Sequence, residues 1–125
     1  MSSVKVVDAS AIAALLFGEP EASAIAARIE GAHLFAPQLL AFEIANVCWV
    51  KCRRHPDKQQ ALRRQYLSLD RLGIEAVAVD HSAVVDLALR EDLTAYDASY
   101  LWTTRQLNAE LVTLDKALIR AVTPS

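Results

Sequence analysis

"VKVVDASAIAALL", residues 4–16, decides the fold. Val4–Val7 is a short valine-rich run without polar alternation, the pattern of a strand buried on both faces. Residues 9–17 have helical composition and stop at Gly18 and Pro20. Asp8 stands alone at the junction, and no other charge follows until Glu19. A strand, a lone carboxylate and then a helix is how a βα unit begins. In open α/β sheets the working site lies beyond the carboxyl ends of the strands.

The same alternation continues along the chain. "PEASAIAARIEG" (20–31) reads as a helix opened by Pro20 and closed by Gly31, and "HLFA" (33–36) as a strand. "QLLAFEIANVCWVKCRR" (38–54) is a long helix that ends before His55-Pro56. "DKQQALRRQYLSLDRLG" (57–73) is a further helix with Leu62, Tyr66 and Leu69 at helical spacing. "IEAVAV" (74–79) is a strand, and "HSAVVDLALRED" (81–92) a helix. "AYDASYLWTTRQL" (95–107) is a helix led by Thr94, "AELVTL" (109–114) a strand, and "KALIRA" (116–121) a short helix started by Asp115. The fold class expected is α/β: one domain over residues 1–125, with a central, mainly parallel sheet flanked by helices on both sides.

Composition agrees. The 125 residues are 54% hydrophobic and 22% charged, enough to bury a core and too apolar for disorder. The net charge is −2, so a nucleic-acid partner needs a local basic patch. Lys51, Arg53, Arg54, Lys58, Arg63 and Arg64 form such a cluster, which is either a solvated face or a contact for an RNA backbone. Cys48 and Cys52 share a helical face but lack the two further ligands zinc requires, and read as reduced thiols of a cytoplasmic protein. Asp8 interrupts any signal-peptide pattern, and no uncharged run is long enough for a bilayer, so no membrane is expected.

Three more acids share the isolation of Asp8. Asp115 falls at the end of the last strand. Glu43 is the only formal charge between Glu30 and Lys51, with Leu39, Asn46 and Val50 on its helical face. Asp97 is the only one between Asp92 and Arg105. An ionised carboxylate in apolar surroundings costs several kcal/mol unless paired. Few basic residues lie near these four, Lys116 excepted. The pattern points to a shared hard cation, Mg²⁺ or Mn²⁺, which prefers oxygen ligands and contacts phosphates. Such a site suits phosphodiester hydrolysis.

Each acid also has a plainer reading. Asp97 and Thr94 fit a capping box, Asp115 can cap the last helix, and Asp8 can cap the first in competition with Ser10. Glu43 is no cap, and its plain reading is a buried pair with an arginine. Ser10, Asn46 and Thr113 are candidates for orienting the acids. His33, His55 and His81 are scattered and read as surface or capping residues; Trp49 and Trp102 read as core or interface.

In "VVDASAIAALL", "FEIANV", "LTAYDASYLW" and "LVTLDKAL" the chain resembles the PIN-domain family, specifically the VapC-type toxins of bacterial toxin–antitoxin pairs. The resemblance covers nearly the whole length. It implies that Asp8, Glu43, Asp97 and Asp115 are the metal-binding catalytic acids and that Ser10 occupies the family's small hydroxyl position. It further implies a Mg²⁺- or Mn²⁺-dependent endoribonuclease that cuts RNA, forms a homodimer and is neutralised by a cognate antitoxin. Two other classes compete. A phosphoacceptor module needs an acidic pair at the first strand and a supported central Asp; "VVDAS" offers one acid and Asp80 stands unsupported. An Asp-x-Asp phosphatase is disfavoured because position 10 is Ser. A non-catalytic binding module would use all four acids as caps and surface charges.

Overall fold

The structure, a computed structural model, describes residues 3–123. Four strands, β1 (Val4–Val7), β2 (His33–Pro37), β3 (Glu75–Val77) and β4 (Glu110–Val112), form one sheet in the order β3-β2-β1-β4. All three pairings are parallel, with Val6 opposite Phe35 on one side and Leu111 on the other, and Phe35 opposite Glu75. Seven α-helices complete the fold: α1 (Ala9–Leu16), α2 (Ala22–Ile29), α3 (Leu39–Arg54), α4 (Gln59–Leu67), α5 (His81–Glu91), α6 (Ala95–Gln106) and α7 (Lys116–Val122).

Right-handed crossovers set the layers. From β1 through β2 to β3 the chain steps one way across the sheet, which puts α1 to α4 on one face. From β3 it returns past β2 and β1 to β4, which puts α5 and α6 on the other. Packing agrees: α1 touches α2 and α3, α3 touches α4, and α6 packs on β1, β2 and β4 with α5 and α7 beside it. The direction reverses between β1 and β4, so the carboxyl ends of these two strands border the topological switch point.

The central strand supplies the core. Val6 and Val7 are fully buried, with Ile12 of α1, Ile25 of α2, Ile44 of α3, Tyr100 and Leu101 of α6 and Leu118 of α7 around them. Cys48 and Cys52 are free thiols turned toward α4, where Cys48 Sγ lies 3.9 Å from the Leu62 carbonyl. Among the described residues no helix is long and apolar enough to cross a membrane.

Three expectations need correction. The helix expected over 57–73 is α4 with a 3-10 turn at each end, Pro56–Lys58 and Ser68–Leu72. Its only partly buried apolar stripe holds one α-helical stretch and leaves the ends tighter. The strands at 74–79 and 109–114 shorten to three residues each, because each borders the sheet and pairs on one side only. Trp49 is exposed, with the Arg53 guanidinium 5.3 Å from its ring, so of the core and interface readings only the core one is overturned. Trp102 packs against the core as expected.

Candidate active site

Asp8 directly follows β1 and caps α1, its Oδ1 accepting from the Ala11 N–H at 3.0 Å. Ser10 Oγ donates to the same oxygen at 2.7 Å, and Thr113 Oγ1 donates to Oδ2 at 2.6 Å. The two hydroxyls also clasp the end of β4. Ser10 Oγ accepts from the Leu114 N–H at 2.9 Å and Thr113 Oγ1 from the Asp115 N–H at 2.9 Å. Asp8 can thus be 4% exposed without an ionic partner, since each oxygen has a donor.

Asp115 follows β4 and caps α7 by accepting from the Leu118 N–H. Asp97 occupies the third position of α6; its N–H donates to Thr94 Oγ1 at 3.1 Å. The carboxylate does not complete the capping box among the described residues and remains free. Glu43 lies in the second turn of α3, half-buried, and its Oε1 accepts from the Tyr100 hydroxyl of α6.

The four acids therefore come from four segments and feel one another. Burial raises the Asp8 pKa, and the charge of Asp115 adds to it. Burial raises that of Glu43, reinforced by Asp97, Asp8 and Asp115. Burial raises that of Asp97, reinforced by Asp115 and Asp8. Among the described residues, no lysine or arginine forms an ion pair with any of them; the ion pairs found lie elsewhere, such as Lys51 with Glu19 and Arg28 with Glu110. The arginine partner considered for Glu43 is absent from that set, and a tyrosine hydroxyl stands there instead.

The plainer readings are thus partly correct, for Asp8 and Asp115 do cap helices. They are incomplete, because capping accounts for neither Glu43 nor the mutual repulsion. Asn46, expected beside Glu43, is exposed and no hydrogen bond joins the two among the described residues. Tyr100 is the residue the sequence did not disclose.

A family model for the PIN domain matches residues 5–123. The chain belongs to the PIN-domain family. It is similar to ribonuclease VapC3 of Pyrobaculum aerophilum, with 31% identity over 118 residues and 90% of each chain covered. Its fold is also like that in the crystal structure of PAE2754 from Pyrobaculum aerophilum, with a TM-score of 0.78 and 24% identity over 95% of this chain and 79% of that one.

In this PIN domain the donor set suits a hard cation: carboxylate oxygens only, in mutual repulsion, without basic neighbours in ion-pair reach. Among the described residues, however, no three His, Cys, Asp or Glu side chains stand in a group that could hold a metal ion. The hydrogen bonds explain the spread. Asp8 is turned to Ser10 and Thr113, Asp115 to its helix, and Glu43 to Tyr100.

Proposed function

We propose that this PIN domain is an endoribonuclease toxin of the VapC type. It hydrolyses RNA phosphodiester bonds with Mg²⁺ or Mn²⁺, assembles as a homodimer and is neutralised by a cognate antitoxin protein. The observation that carries this reading is that Asp8, Glu43, Asp97 and Asp115, none of them ion-paired among the described residues, lie near enough that, beyond burial, their charges raise the pKa values of Asp8, Glu43 and Asp97. Similarity to a curated ribonuclease supports the substrate class.

Asp8, Glu43, Asp97 and Asp115 would hold the ion. It supplies charge neutralisation at the phosphate and a lowered pKa for water bound there. The chain's own residues do the rest. Ser10 and Thr113 fix both oxygens of Asp8, so its carboxylate has one orientation. Tyr100 holds one oxygen of Glu43, Oε1, by a hydrogen bond. Without a cation these acids repel a phosphodiester, so cleavage requires the ion.

The test is cleavage of single-stranded RNA by the purified chain with Mg²⁺ or Mn²⁺ and with a chelator. Cleavage is expected only with the ion, and Asp97→Asn is expected to lower it at least about a hundredfold. Asp97→Asn protein that cuts as fast as the parent rejects the assignment.

A further inference from the structure

A cavity of about 260 Å³ lies between the ends of β2 and β3 and residues of α3, α5 and α6. Pro37 and Val77, the last residues of β2 and β3, line it, so it lies at the same carboxyl edge of the parallel sheet that Asp8 and Asp115 follow. Two of its lining residues are near neighbours in sequence of the acids. Leu39 lies one turn before Glu43 on the same face of α3, and Tyr96 directly precedes Asp97 on α6. Tyr96 is 64% exposed, and Gln38 and His81 add polar groups to the lining. No lysine or arginine lines the cavity.

We propose that this cavity receives an unpaired nucleobase of the bound RNA; the inference rests on the nuclease reading. A phosphate is a poor occupant, because the walls are apolar and carry no basic group. A nucleobase fits both parts of the surface: a flat apolar body against Leu39, Val77 and Val85, and a polar edge toward Gln38, whose amide both donates and accepts. Tyr96 supplies the face on which the base stacks. A duplex cannot enter, since its bases are stacked inside. The placement also meets a need of this chain. With a net charge of −2 and four acids at the reaction centre, little of the RNA affinity can come from charge there, and base stacking supplies it instead.

The test uses Tyr96→Ala, which removes the stacking face from an exposed helical position, and Val85→Trp, which fills the cavity from a half-exposed one. Cut sites of a short random-sequence single-stranded RNA are read by sequencing. The parent is expected to prefer certain bases at one position flanking the cut, and both variants to lose that preference and raise KM about tenfold with kcat nearly kept. Variants that keep the parent's preference and KM overturn the proposal. So does a parent dimer that Tyr96→Ala dissociates, because a second copy then covers the cavity. Binding to Asp8→Asn protein, which needs no cleavage, separates this inference from the nuclease reading. A short single-stranded RNA is expected to bind about tenfold tighter than the same strand made abasic. Equal binding overturns the cavity assignment even where cleavage is found, and tighter binding upholds it even where the parent proves inactive.

Discussion

Tyr100 illustrates how one side chain serves two purposes. Its ring is 1% exposed and belongs to the core, while its hydroxyl reaches Glu43 across the α3–α6 interface. Burial and the hydrogen bond to Glu43 push the phenol pKa far up, so it stays a donor at any working pH. Tyr100→Phe keeps the ring and removes the donor. Stability is expected to fall by about 1 kcal/mol in urea denaturation, the usual worth of one hydrogen bond. Half-maximal cleavage is expected to need about tenfold more Mn²⁺, because Glu43 loses its orientation. An unchanged Mn²⁺ dependence refutes the orienting role. Asp8, Glu43 and Asp97 were legible in sequence because each is the lone charge in a long apolar stretch, and Asp115 because it ends an apolar strand. Tyr100 was not, since a tyrosine in an apolar helical pattern reads as core, and only the facing helix shows where its oxygen ends. Asn46 failed for the related reason that spacing along α3 gives the face of the helix but not which neighbour covers it.

At the scale of elements, the clasp between the ends of β1 and β4 is the feature on which the site's geometry depends. The two strands lie over a hundred residues apart in sequence, yet Ser10 and Thr113 tie their ends through Asp8 Oδ1 and Oδ2 and through two backbone N–H groups. Thr113→Val preserves shape and deletes the hydroxyl. It leaves Asp8 Oδ2 without its donor and the Asp115 N–H without its acceptor. The expected loss is about 1–3 kcal/mol in denaturant unfolding, the range for stranding buried polar groups. A loss of a few tenths shows that water replaces the bond without cost. The βα alternation that placed these strands was readable, because four apolar runs separated by amphipathic stretches admit few other folds. The run at 57–73 was less so. Its Leu and Tyr spacing is helical throughout, but the pattern does not record where packing tightens the backbone into 3-10 turns. α5 stops at Glu91 because Asp92 adopts a left-handed conformation, φ 54°, that its composition did not announce.

For the whole molecule, the acid site opposes stability, and pH and metal should both reveal it. Asp8, Glu43 and Asp97 have pKa values raised on folding, burial being the first cause for each and neighbouring acids adding to it. A raised carboxyl pKa means that the folded chain binds protons more tightly than the unfolded one. Its contribution to stability is therefore full below the unfolded pKa and is lost as pH rises through the folded pKa. In the presence of a chelator, the thermal midpoint is expected to be higher at mildly acidic pH, just above the ordinary carboxylate range, than at neutral pH. Asp97→Asn, which removes one of the repelling charges, should flatten the slope and raise the neutral-pH midpoint. On the proposed function a divalent cation would act in the opposite sense, binding the ionised acids of the folded state and raising the midpoint by linkage, increasingly as pH rises. With millimolar Mn²⁺ the neutral-pH midpoint of the parent should therefore rise by several degrees, and that of Asp97→Asn by much less. The basic run gives no competing explanation. Arg53 sits ten residues beyond Glu43, about 15 Å along α3, and Lys51 is bound to Glu19. Equal midpoints with and without Mn²⁺, together with a flat pH profile under chelator, would mean that the four carboxylates do not share a site.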